Sequence, residues 1–257
     1  MTDEQAGLRA LAPGAARPRG AAHSVLLEWV EQQLLDGELS VGDKLPAERA
    51  LAEQFGISRA SVREGIRVLD ALGLVSSEAG SGPRAGATVI SEPSRALAWA
   101  LRMHVATQAL PMSDIVDMRV LLETQSMQHA DASVPEAREE ICGRARRILQ
   151  RMDEDVSDEL FHALDAEFHV TLGELSGSVV TVTMLASLRS AVIGYVTEGV
   201  AQVNDWPALR QRLQAQHWAI LDAATRGDPQ KAADLLKKHI LHFQAAVAPG
   251  PRTGSAE

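Results

Sequence analysis

Between Ser24 and Leu35, apolar side chains fall at Val25, Leu26, Trp29, Val30 and Leu34, a three-and-four spacing that predicts an amphipathic helix ended by Asp36-Gly37. Leu45-Pro46 leads into a second helix carrying Ala50, Leu51 and Phe55, and Gly56 supplies the turn after it. In a third helix Val62, Ile66 and Leu69 share one face, while Arg59, Arg63 and Arg67 lie largely on the other. Two short helices about a glycine turn, the second with a basic outer face, predict a helix-turn-helix. The start of that second helix is open: Ser58 suits an N-cap, and Ser61 to Glu64 suits a capping box. After Gly73 the pattern changes to Leu74-Val75-Ser76-Ser77 and Ala87-Thr88-Val89-Ile90, around a glycine-rich stretch from Gly80 to Gly86. Two short strands with a flexible tip would form a wing, and Arg84 in that tip is a residue type that enters minor grooves.

From Pro93 to Val247 the pattern is almost wholly helical, with breaks at Leu110-Pro111, Ser133-Val134-Pro135, Ser176-Gly177-Ser178, Asp205-Trp206-Pro207 and Gly227-Asp228-Pro229. So many amphipathic faces are buried most simply in a bundle of six or seven helices. The expected fold is therefore mainly α. A winged helix-turn-helix spans residues 22–91 and an all-helical domain spans 92–247, with disordered tails at 1–21 and 248–257.

Charge complicates this picture, because the chain carries a net −9 and a basic surface is the usual footprint of phosphate contacts. Placement matters more than the total: Arg49, Arg59, Arg63 and Arg67 cluster in one segment, whereas the acidic excess is spread along the chain. Cys142 is the one cysteine, so no intrachain disulfide forms, and its helical, apolar setting predicts a buried structural thiol. No apolar run reaches about 18 residues, and a cytoplasmic protein without membrane partners is expected.

The run Gly42-Asp43-Lys44-Leu45-Pro46-Ala47-Glu48-Arg49-Ala50-Leu51-Ala52, continued by Phe55-Gly56-Ile57-Ser58-Arg59-Ala60-Ser61-Val62-Arg63-Glu64 and Leu69-Asp70-Ala71-Leu72-Gly73-Leu74-Val75, resembles the GntR winged-helix signature. That resemblance implies that Arg49, Ser58, Arg59, Ser61 and Arg63 touch double-stranded DNA, and that the wing tip, Gly82 included, reaches the minor groove. The chemistry agrees, since guanidinium groups fork onto guanine O6 and N7 and hydroxyls at a helix N-terminus suit phosphates. Ala60 offers only an apolar contact, such as one to a thymine methyl. Gly80 to Gly86 is longer than the usual glycine hairpin of the family.

In the helical region Asp165 and His169 stand four apart on one helical face, and His217 and His239 lie on two later helices. One carboxylate and three imidazoles projecting inward suit a divalent transition metal with open positions, although a lone histidine on an amphipathic helix is more often simply packed. The segment resembles the FCD ligand domain of the FadR-like branch. That resemblance implies that Asp165, His169, His217 and His239 are metal ligands, for zinc first, with nickel or manganese as alternatives. It also implies that Arg119 pairs with an effector carboxylate; Arg119 and Glu123 equally suit an i,i+4 salt bridge. His162 and His242 are expected to be supporting or surface residues. Ser178 stands where many relatives have Asn, and a hydroxyl lacks the amide's hydrogen-bonding set, so effector identity does not carry over.

The function expected is a ligand-responsive regulator, a repressor, acting as a homodimer on a near-palindromic operator and modulated by a small carboxylate. Two alternatives differ in class: a DNA-binding dimer whose second domain only assembles it, and a metal-dependent enzyme. No His-Glu-x-x-His motif supports the latter.

Overall fold

Helix α1 (Ser24–Leu35) buries Leu26 and Val30, the apolar stripe its spacing predicts. The computed structural model describes residues 22–78, 86–130 and 135–247; the expected tails, and Gly82 and Arg84 of the wing tip, lie outside the described residues. Helix α2 (Glu48–Phe55) ends at Gly56, whose φ of +62° is left-handed and turns the chain into α3 (Arg59–Ala71). The start of α3 is settled by its cap: Ser58 accepts a hydrogen bond from the Ser61 amide at 3.0 Å. Gly65 lets α3 approach α1, since a Cβ there would lie 2.8 Å from the Leu26 side chain.

Strands β1 (Val75–Glu78) and β2 (Gly86–Val89) pair antiparallel, with Val75 opposite Val89 and Ser77 opposite Ala87. The segment before α2 joins this wing. The Leu45 amide donates to Ala87 O at 2.8 Å and the Val89 amide to Asp43 O at 2.8 Å, so β2 is paired on both sides. Leu26, Leu51, Val62, Leu69, Val75 and Val89 form the core of this unit. Each contributes about 1.5–3 kcal/mol by leaving water.

A second compact unit begins at Glu92. It contains α4 (Pro93–Ala106), α5 (Met112–Gln128), α6 (Pro135–Met152) and α7 (Asp158–Gly173), then a 3₁₀ turn at Glu174–Ser176. After the turn come α8 (Val179–Ala191), α9 (Ile193–Val200), α10 (Trp206–Thr225) and α11 (Pro229–Val247). Helices α8 and α9 meet at a 45° bend; counted as one element, they bring this unit to seven helices among the described residues.

Helix α5 packs on α11, α10 on α11 and α6, and α7 on α5, α6 and α8. Phe161, Phe168, Leu149, Leu172, Ile220 and Leu236 fill the centre. Gly173 permits close contact of α7 with α8, because a Cβ there would come within 2.6 Å of Leu185. Cys142 is buried, and burial pushes its thiol up from the ordinary range, in keeping with a packing role. Among the described residues no single helix is long and apolar enough to cross a membrane.

Candidate DNA-reading surface and candidate metal centre

Because α3 buries Val62, Gly65 and Leu69 along one face, Arg59, Arg63 and Arg67 turn outward on the other. Arg59 and Arg63 of α3, Arg49 of α2 and Arg67 line one groove of about 670 Å³ against the wing. The structure thus brings three expected DNA contacts onto a single face. The arginine side chains stay open to water: Arg49, Arg59 and Arg63 are 81%, 59% and 53% exposed. Ser58 and Ser61 sit apart from the groove lining, at the N-terminus of α3, with their hydroxyls 2.9 Å apart. The Ser58 oxygen accepts one bond in the cap, and its hydroxyl keeps a hydrogen to donate.

Sequence reasoning left one member of this face without a role. Glu48, at the first turn of α2, accepts from Arg63 Nε at 2.8 Å and stands 3.6 Å from Arg59 Nη2. One carboxylate therefore ties two neighbouring guanidinium groups, and pairing across fifteen residues is invisible to helical periodicity.

In the second unit, polar side chains gather where apolar ones would be expected. His169, His217 and His239, from α7, α10 and α11, are buried together beside Asp165. His217 Nε2 lies 3.0 Å from Asp165 Oδ1 and 3.2 Å from His239 Nε2. His169 Nε2 lies 3.2 Å from His239 Nε2 and 3.7 Å from Asp165 Oδ1. Donors held about 2.0–2.2 Å from a single ion are themselves separated by roughly 3.0–3.5 Å, from right-angled to tetrahedral arrangements. The four residues fit such an ion, and all four offered atoms lie within 4.8 Å of one another.

The outer nitrogens are tied as well. His169 Nδ1 donates to Glu123 Oε2 at 2.6 Å, and His239 Nδ1 donates to Gln216 Oε1 at 3.0 Å. Gln216 in turn donates to His242 Nδ1 at 3.1 Å, so His242 supports the centre through one intermediary. Gln214 Oε1 lies 3.4 Å from His217 Nδ1, and Gln214 donates to Leu149 O and to Asp153.

Burial, followed by the nearby Arg189 charge, lowers His169 to about 4. Burial, with His217 and His169 beside it, holds His239 well below the usual imidazole range. Both are therefore neutral near pH 7, the form that ligates metal.

Two further residues complete the centre. Glu123, 2% exposed, accepts from Arg119 Nε at 3.1 Å and from Arg189 Nη2 at 3.4 Å besides His169. Arg189 also donates to Asp165 Oδ2 at 2.9 Å. Burial opposes ionisation of Glu123, but Arg189, His169 and Arg119 outweigh it and keep the carboxyl well below its ordinary range. Asp165 is held low in the same way: burial opposes, while His169, His217 and Arg189 prevail. Arg119 therefore makes the i,i+4 bridge and also faces a cavity of about 310 Å³, shared with Asp165, Arg189 and His239. His162 lines the same cavity. Ser178 does not; it caps α8 by accepting from the Thr181 amide at 3.2 Å and lines a separate hollow. Arg189 went unread in the sequence, although it is the single charged residue of α8, a signal that was there to be used.

Both units resemble known protein families. Residues 25–84 match the model of the gntR family of bacterial regulatory proteins, and residues 114–242, half of the chain, match that of the FCD domain. The Glc operon transcriptional activator of Escherichia coli is 29% identical over 220 residues, covering 84% of this chain and 85% of the relative. The transcriptional repressor NanR of an Enterobacter species is 27% identical over 224 residues, covering 85% and 82%. A solved Streptococcus agalactiae GntR shares the fold, with a TM-score of 0.54 at 19% identity over 88% of this chain and 98% of that one. The chain belongs to the GntR family, in the FadR-like branch that carries an FCD domain, and is a DNA-binding transcription regulator rather than an enzyme.

Proposed function

We propose that this regulator holds a divalent transition metal, zinc in the first instance, on Asp165, His169, His217 and His239, and that a small carboxylate joins it there to change operator binding. One observation carries the metal. His169 and His239 each commit Nδ1 as a donor, to Glu123 and Gln216, so their Nε2 atoms are bare lone pairs facing each other at 3.2 Å. Two acceptors so placed repel unless a cation lies between them.

Arg119 and Arg189 are the residues we assign to the effector carboxylate. Their charges are balanced by Glu123 and Asp165, so a divalent ion leaves this buried site in positive excess. An anion entering the adjoining cavity answers that excess, and a bound metal supplies Lewis-acid positions for its oxygens. We further propose that Arg49, Ser58, Arg59, Ser61, Arg63 and the wing around Gly82 read a near-palindromic operator, as one half of a homodimer in the cytoplasm. Relatives of both signs exist, an activator and a repressor; we propose repression here, for which loss of the gene raises transcription of its target.

The deciding experiment is metal analysis of the purified chain after chelation and reloading. The expected result is one equivalent per chain, lost in Asp165→Ala and weakened about 10–100-fold in Glu123→Gln, which keeps the shape but not the charge behind His169. A wild-type chain that retains no metal would leave the helical unit with assembly as its role.

A further inference from the structure

The effector cavity is charged at the metal cluster and apolar over much of the remainder. Val170 of α7, Val192, Ile193 and Val196 at the α8–α9 bend, and Ile240 and Phe243 of α11 supply the apolar part. Its volume of about 310 Å³ equals the share of roughly ten water molecules at about 30 Å³ each. A two- or three-carbon acid, with about the bulk of three or four waters, occupies about a third of such a space. Ile193 is 49% exposed among the described residues of one chain, so part of the cavity's apolar lining is open for a ligand body to cover. Glu167, exposed and also in the lining, adds a negative charge that disfavours a second carboxylate in the cavity.

We propose that the effector is a monocarboxylate bearing an aliphatic or aromatic body, with the carboxylate at Arg119 and Arg189 and the body against Ile193, Val196 and Phe243. The inference rests on the carboxylate-sensing reading of this cavity and adds to it the class of acid selected. A short hydroxy acid satisfies the charged end alone. Each methylene added along the apolar lining leaves water and strengthens binding about fourfold, until the space is filled.

The test is calorimetric titration of the full-length, metal-loaded protein with acetate, butanoate, hexanoate, 3-phenylpropanoate and the dicarboxylate adipate. Affinity is expected to climb by roughly tenfold or more from butanoate to hexanoate. 3-Phenylpropanoate should bind at least as well as hexanoate, and adipate at least tenfold more weakly. In Ile193→Asn, a change at a half-exposed position, metal content should be kept while the hexanoate-to-acetate ratio falls several-fold. Acetate binding as tightly as hexanoate, or adipate matching it, would overturn the proposal and leave carboxylate sensing intact. Retained metal with no acid binding at all would overturn both. An unchanged chain-length ratio in Ile193→Asn would remove the assigned wall.

Discussion

Each unit of this chain sets one glutamate between two arginines, and the two arrangements differ chiefly in their access to water. Glu48 faces Arg59 and Arg63 with side-chain exposures of 34%, 59% and 53%. Glu123 faces Arg119 and Arg189 with 1%, 10% and 6%. In the first case water screens every pair, so the contacts exchange at little cost and the guanidinium groups remain available to another anion. In the second, three charges have lost their hydration and depend on one another, and on the His169 hydrogen bond, for compensation. Identical residue types therefore make a replaceable surface in one place and an interlocked centre in the other. A reader of DNA needs the first, since its charges must change partners on binding. A site that orients metal ligands needs the second.

The sharpest way to break this contrast is to remove both glutamates in turn. Glu123→Ala leaves Arg119 and Arg189 buried without their shared partner and should destabilise the helical unit by about 3–5 kcal/mol. Glu48→Ala should cost the winged unit no more than about 1 kcal/mol. Urea unfolding followed by circular dichroism, with hydrogen exchange assigning each transition to its unit, separates the two. Equal losses would show that burial does not divide these clusters.

The same contrast explains what was legible in the sequence. Helix α3 was readable because its outward residues repeat with the helical period and its turn needs the left-handed Gly56. Gaps in the fold reading came from contacts that no local pattern encodes. The pairing of residues 43–45 with β2 joins segments some forty residues apart. The break before α7 has no Gly or Pro, only the Ser157 cap within an acidic run, and the α8–α9 bend falls at Val192. At the site, spacing placed Asp165 and His169 on one helical face, but grouping them with His217 and His239 as metal ligands rested on the family resemblance. Glu123 looked like a local partner of Arg119; its bond to His169 spans forty-six residues and exists only once α5 packs on α7.

A change of intermediate size sharpens the surface half. Arg59→Ala should weaken operator binding by about 1–3 kcal/mol if the side chain reads a base, with little change in thermal stability. Fluorescence anisotropy against operator and scrambled duplexes at several salt concentrations measures it. A loss shared equally by both duplexes would move Arg59 from base reading to phosphate contact. Unchanged affinity would remove it from the interface.

The smallest expected change in stability, with the most telling effect on recognition, belongs to Glu48→Gln. The substitution preserves size but removes a negative charge from the groove proposed to meet phosphates, so binding to scrambled DNA should tighten. It also loosens the 2.8 Å tether on Arg63, so the operator should gain less than the scrambled duplex does. Discrimination between the two therefore falls, while unfolding shifts by about 1 kcal/mol or less. If the dependence of log K on log salt steepens by about 0.9, one further phosphate contact has replaced the internal pair. Undiminished discrimination together with a stability loss of several kcal/mol would make Glu48 a strut like Glu123, and the distinction between an exchangeable surface and an interlocked core would not hold for this chain.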